Sequence, residues 1–183
     1  MSVSAITPVT LETPSSLLPE LIARHAEERA EHPALIQDGR EVSYREFNRQ
    51  LDRVAAALQR DGLKAGDSIA ICGSNSIPYA TLYLGALRAG VVVAPLAPSS
   101  TATGLMTMIR DSAARLVFFD QAVGEALATV NASEQVRLLS MDDSQAEQGF
   151  SAWLDDGKPA PVSITADMAF NIIYSSGTTG EPK

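Results

Sequence analysis

A single cysteine, Cys72, stands in the 183 residues, so no disulfide can form within the chain, and a reducing compartment suits it. Only two histidines, His25 and His32, accompany it. That is too small a stock of nitrogen and sulfur ligands for a convincing transition-metal site. Basic residues are also short: 14 Lys and Arg face 22 Asp and Glu, for a net charge of −8. Such a balance argues against nucleic acid and against anionic membrane surfaces as partners. A polyanionic ligand would have to be held by local donors against the overall field. Nor is there an unbroken membrane-length apolar run. The longest apolar tract, Ala80 to Ala97, is interrupted by Arg88, Gly90 and Pro95. Residues 1–14 hold no lysine or arginine and no long apolar stretch, so they do not read as a signal peptide. They are expected to form a flexible leader to a single domain over 15–183, and the protein is expected to be cytoplasmic.

What remains is the material of a globular domain, 45% hydrophobic and 20% charged. Helical and strand patterns alternate along it. Ser15 or Ser16 is placed to cap a helix carrying Leu17, Leu18, Leu21, Ile22 and Ala26, which must end before Pro33. Ala34–Gln37 and Glu41–Ser43 flank Asp38-Gly39 as a short hairpin. Ser43 and Glu46 have capping-box spacing ahead of a helical stripe of Phe47, Leu51, Val54, Ala55 and Leu58 that Gly62 ends.

Beyond it, Ser68–Cys72, Val91–Ala94, Leu116–Phe119 and Val136–Leu139 read as strands. Helices are expected over 76–89, 101–113 and 123–130, with a further helical stretch within 144–154. A linker over 155–167 leads to a last strand at Ala169–Tyr174. The strands are continuous apolar runs rather than alternating ones, which requires cover on both faces. The expected fold class is therefore α/β, with a doubly wound, largely parallel sheet flanked by helices.

The strongest chemical signal is Tyr174-Ser-Ser-Gly-Thr-Thr-Gly-Glu-Pro-Lys183. Gly177 and Gly180 permit close backbone approach and convergence of N–H groups on an anion. Ser175, Ser176, Thr178 and Thr179 add hydroxyl donors, and Lys183 adds a movable positive charge. The spacing fails the P-loop pattern, because Pro182 fills the slot before the lysine and the four intervening residues are missing. A γ-phosphate transferase is disfavoured on that ground.

The same residues closely resemble the phosphate loop of the adenylate-forming (AMP-binding) superfamily, which includes acyl- and aryl-CoA synthetases, luciferases and nonribosomal peptide adenylation domains. Upstream, Val42-Ser-Tyr-Arg-Glu-Phe47, Lys64-Ala-Gly-Asp-Ser-Ile-Ala-Ile71 and Ala86-Leu-Arg-Ala-Gly-Val-Val-Val-Ala-Pro-Leu96 resemble weaker motifs of that family, in its order. Each also has a structural reading. Ser43 and Glu46 cap a helix, Asp67 holds a turn, Gly90 ends a helix and Pro95 ends a strand. Cys72 and Trp153 read as core, His25 as a surface residue and His32 as a helix-end residue.

The resemblance implies ATP and Mg2+ as cofactors, a small carboxylic acid as substrate, an acyl-adenylate intermediate and pyrophosphate release. Transfer to coenzyme A or another thiol would follow. It assigns Ser175, Ser176, Gly177, Thr178, Thr179, Gly180 and Lys183 to the nucleotide phosphates, and no catalytic residue or metal ligand within the chain. The family's adenine pocket, ribose-binding aspartate, magnesium-binding glutamate, acyl pocket and catalytic lysine come later in sequence. The chain is thus expected to be an N-terminal fragment, inactive alone, with an open strand edge that favours self-association. The leading expectation is an acyl- or aryl-CoA ligase. A peptide-synthetase adenylation domain and a non-catalytic nucleotide-binding or interaction module are the alternatives.

Overall fold

A computed structural model describes residues 17–132, 136–142 and 149–175. Helix α1 (Leu18–Glu28) leads to a hairpin of β1 (Pro33–Gln37) and β2 (Arg40–Ser43). The hairpin turn is built as its sequence requires, since Asp38 and Gly39 both take positive φ, 52° and 79°. Positive φ at both positions gives a two-residue turn whose twist matches the right-handed twist of the strands it joins. Helix α2 (Tyr44–Arg60) follows, with the Ser43 hydroxyl accepting the Glu46 N–H at 3.3 Å. Only half of the capping box forms. The Glu46 carboxylate turns outward instead, to Arg49 at 2.9 Å and to Gln50.

Four parallel strands come next: β3 (Ser68–Cys72), β4 (Val92–Leu96), β5 (Leu116–Phe119) and β6 (Arg137–Ser140). Between and after them lie α3 (Ile77–Arg88), α4 (Ala102–Asp111), α5 (Gln121–Ala128) and a one-turn α6 (Phe150–Trp153). The sheet order is β4-β3-β5-β6, so the chain starts at the middle, moves out to β4, and returns past β3 to the other side. That reversal defines a doubly wound sheet.

Side chains alternate between two covered faces along each strand. Ile69, Ile71, Val93, Leu116 and Phe118 point into a core with α2, α3 and α6. Ala70, Cys72, Ala94, Leu96 and Val117 point into a second core with α4 and α5. The stripe on α2 is buried throughout, from Phe47 at 2% exposed to Leu58 at 0%. Gly85 lets α3 lie against α2: a Cβ there would sit 2.5 Å from the Val54 Cβ.

Two arginines clamp elements together. Arg88 on α3 donates to the Asn48 carbonyl at 2.9 Å, the Asn48 Oδ1 at 2.7 Å, Asp52 at 2.8 Å and the Pro19 carbonyl at 3.1 Å, so it ties α1 and α2 to α3. Arg115 spans the turn before β3, reaching Asp67 at 2.7 Å and the Gly62 carbonyl at 2.8 Å. Asp67 also accepts the Lys64 N–H at 2.9 Å, so it holds the turn expected of it.

Several local expectations change. The first helix is capped at Leu17, not at a serine; Ser15 and Ser16 lie outside the described residues. Leu18 is 54% exposed, because Pro19 takes the buried place in that turn. His25 is not a plain surface residue. Its ring meets Tyr44 edge-on at 5.0 Å, and its Nε2 lies 2.8 Å from Arg29, whose guanidinium covers the same tyrosine. His32 lies past the helix end, since Arg29 already forms the cap. Of the helical stretch expected within 144–154, Phe150–Trp153 forms, and residues 143–148 lie outside the described set.

The largest change concerns the last strand. Residues 169–174 make a single parallel bridge, Val93 to Asn171, rather than a full strand. Val93 donates to the Phe170 carbonyl at 3.0 Å, and Ile172 donates to the Val93 carbonyl at 2.9 Å. The next residue of β4 that faces this segment is Pro95. It has no N–H to offer, so the ladder cannot continue.

Candidate functional site

In a doubly wound sheet, ligands gather beyond the carboxyl ends of the strands where the winding reverses. Here that crevice, between the ends of β3 and β5, is filled. Asp120 sits in it, accepting the Ser74 N–H at 2.8 Å through one oxygen and the Val123 N–H at 3.1 Å through the other. Met141 closes the rest. A Cβ on Gly73 would lie 2.5 Å from the Met141 methyl carbon and 3.2 Å from Asp120. Cys72, at the end of β3, is 1% exposed, and burial with the nearby Asp120 charge pushes its thiol up to about 12. It is an inert core residue.

The candidate site lies instead along the β4 edge, where residues 169–175 emerge. Alternate side chains of this segment enter opposite faces of the sheet. Asn171 lies beside Tyr83 of α3, its side chain placed to hydrogen-bond the phenol oxygen. Ile172 and Tyr174 pack into the core under α4. The Tyr174 hydroxyl lies 2.7 Å from an Asp111 carboxylate oxygen and 3.0 Å from the Met108 carbonyl. Burial first, and then donation to Asp111, push this phenol up to about 12, so it stays a proton donor. Ile173 points outward at 71% exposed, as does Phe170 at 56%.

Ser175 follows Tyr174 directly and is exposed. Of the seven expected phosphate-loop residues, it alone is described. Ser176, Gly177, Thr178, Thr179, Gly180 and Lys183 lie outside the described residues. Sequence reasoning missed the anchors Asn171, Tyr83 and Asp111. No signal in the string marked them, because they meet Tyr174 or one another only after folding, across 63 residues for the Tyr174–Asp111 pair.

The chemistry of the loop fits a triphosphate, since Ser175, Ser176, Thr178 and Thr179 supply hydroxyl donors and Lys183 an ammonium. Magnesium is not provided for in the same way. Among the described residues, no three His, Cys, Asp or Glu side chains gather where a metal could bind. No described helix is long and apolar enough to cross a membrane.

The sequence profile of the AMP-binding enzyme family matches residues 22–183. The chain belongs to this family. Among curated relatives, a fatty acid–[acyl-carrier-protein] ligase of Streptomyces coeruleorubidus is 31% identical over 162 residues, which cover 87% of this chain and 30% of that protein. Surfactin synthase subunit 2 of Bacillus subtilis is 32% identical over 172 residues, covering 91% of this chain and 4% of that protein. The chain therefore spans less than a third of the length of these relatives. The inhibitor-bound N-terminal domain of FACL13 from Mycobacterium tuberculosis superposes with a TM-score of 0.78 at 25% identity, over 90% of this chain and 42% of that one. The anthranilate CoA ligase AuaEII, in complex with anthranoyl-AMP, superposes with a TM-score of 0.80 at 19% identity, over 90% of this chain and 33% of that one. The fold is that of the N-terminal part of adenylate-forming enzymes, and the family is one of AMP-forming ligases.

Proposed function

We propose that this chain is the N-terminal part of an ATP-dependent acid–thiol ligase, which activates a small carboxylic acid as its adenylate and passes the acyl group to coenzyme A. One observation carries the reading: the Tyr174–Lys183 loop stands complete inside the family match, at the end of a segment hydrogen-bonded to the sheet edge. Ser175, Ser176, Thr178 and Thr179 would donate to the phosphates, Gly177 and Gly180 would let the backbone wrap them, and Lys183 would neutralise charge. As the acid's carboxylate attacks the α-phosphate, negative charge builds on the departing β,γ-phosphates. Preorganised donors aimed there lower the barrier electrostatically. Magnesium would shield the same charge, with ligands from outside the described residues.

The chain carries a net −8, so the loop rather than the global field must attract the nucleotide. Residues 1–183 alone are expected to be inactive, since the related ligase is more than three times as long as the matched stretch. A peptide-synthetase adenylation domain, loading a carrier-bound thiol instead, is a second reading favoured by the peptide-synthase relatives.

Acid-dependent exchange of labelled pyrophosphate into ATP by the whole protein tests the reading. Lys183→Ala and Thr178→Val should each slow exchange by about ten- to hundredfold, the worth of one hydrogen bond to a charged group. Thermal unfolding should be unchanged. Full exchange in both variants would refute the loop assignment. Parallel assays with free coenzyme A and with a carrier protein separate the two acceptors.

A further inference from the structure

The start of the nucleotide loop is held by side chains because the sheet cannot hold it. Backbone pairing of residues 169–174 with β4 stops at Ile172, where Pro95 withholds the next donor. Past that point the next restraint among the described residues is the Tyr174 hydroxyl. It reaches across to the C-terminal turn of α4, 2.7 Å from the Asp111 carboxylate and 3.0 Å from the Met108 carbonyl. Ser175 is the very next residue. Any rotation or lift of the backbone at Tyr174 is passed on to the Ser175 hydroxyl.

We propose that Tyr174 and Asp111 are a positioning pair for the nucleotide: their hydrogen bond replaces the missing sheet rung and fixes the direction in which Ser175 and the following donors meet the phosphates. The inference rests on the loop reading above. Neither side chain needs to touch ATP. Donors preset to the geometry of a ligand spare it the cost of ordering them, and misplacement by a fraction of an ångström loses much of that advantage.

Steady-state kinetics of the whole protein, with ATP and acid varied separately, test this. Tyr174→Phe keeps the buried ring and removes only the hydroxyl; Asp111→Ala removes the acceptor. Each should raise the KM for ATP about tenfold, the loss of one charge-assisted hydrogen bond. The KM for the acid should move less than about twofold. Asp111→Asn keeps an acceptor oxygen and should recover most of the ATP affinity. The double variant should be no worse than Tyr174→Phe alone, because that change already removes the donor of the Asp111 bond.

An unchanged ATP KM in Tyr174→Phe overturns the inference. So does an equal loss for both substrates accompanied by a lowered melting temperature, which is the mark of a purely structural bond. Lys183→Ala, measured alongside, separates the two levels. If it weakens ATP binding while Tyr174→Phe does not, the positioning role alone falls. If it too has no effect, the loop reading fails.

Discussion

Gly85 shows how much of the α2–α3 contact rests on a single missing atom. Its Cα lies so near Val54 that an added Cβ would stand 2.5 Å from one valine carbon and 2.6 Å from another, with the Leu51 carbonyl at 3.2 Å. None of these can yield cheaply, since Val54 and Leu51 are themselves fully buried. Gly85→Ala would raise helix propensity by about 1 kcal/mol in an exposed site. Here the overpacking should win, with a net loss of about 1–3 kcal/mol in urea unfolding. A more stable variant would mean that the two helices are free to separate. Gly90 serves differently: it takes φ +69° and turns the chain from α3 into β4, the conformation for which a glycine is best suited. That residue was readable from the string as a helix stop. Gly85 was not, because close approach between helices leaves no local mark.

At the scale of elements, Asp61 is the joint between α2, β6 and α6. It caps the C-terminal end of α2, where a negative charge is unfavourable for the helix dipole. Its side chain is only 8% exposed. Burial pushes the carboxyl up, but hydrogen bonds from the Trp153 indole at 2.8 Å, from Arg137 at 2.9 Å and from Arg60 together hold it below the usual carboxylate range. A group depressed in the folded state stabilises fully above its unfolded value, about 3.9, and loses that contribution as pH falls through the lower folded value. Asp61→Asn should therefore cost about 1–3 kcal/mol at pH 7, and the gap to wild type should narrow as the pH falls below about 4. Urea unfolding at several pH values checks it; a gap that stays constant into acid would show the carboxylate does not act through its charge.

Most elements were legible because each carries its own local signature. Asp38-Gly39 makes a turn, Phe47 to Leu58 makes a buried stripe, and Ser68–Cys72 makes a strand covered on both sides. The last strand was not legible, because its length depends on β4. Residues 169–174 look apolar enough to pair throughout, and only the register against Val93 reveals that Pro95 falls opposite the next rung. Likewise Trp153 was expected in the core and lies there, against Phe118 at 4.8 Å, while its bond to Asp61 spans 92 residues and had no sequence trace.

At the scale of the whole molecule, the β4 margin of the sheet is only partly covered among the described residues. Beyond β4 the described residues contribute the Asn171 bridge and no further strand, with Phe170 and Ile173 exposed beside it. An apolar edge with unpaired backbone groups is a template for association. Residues 1–183 in isolation should form concentration-dependent oligomers in sedimentation velocity. Ile173→Lys, placing a charge on that edge, should shift them toward monomer; an unaltered distribution would place the contact elsewhere. The filled crevice between β3 and β5 belongs to the same scale. With Asp120 and Met141 occupying the reversal point, the pocket usual for this topology is closed between β3 and β5.

Pro95 thus acts as a stop on a zipper. Were an amide hydrogen present there, the emerging polypeptide could fasten itself two residues further along its neighbour and lie flat. The ring forbids that, so the chain peels away at a set point and the Ser175 side chain is left exposed instead of being stitched into the sheet. A residue with no donor to offer decides where the polypeptide lets go.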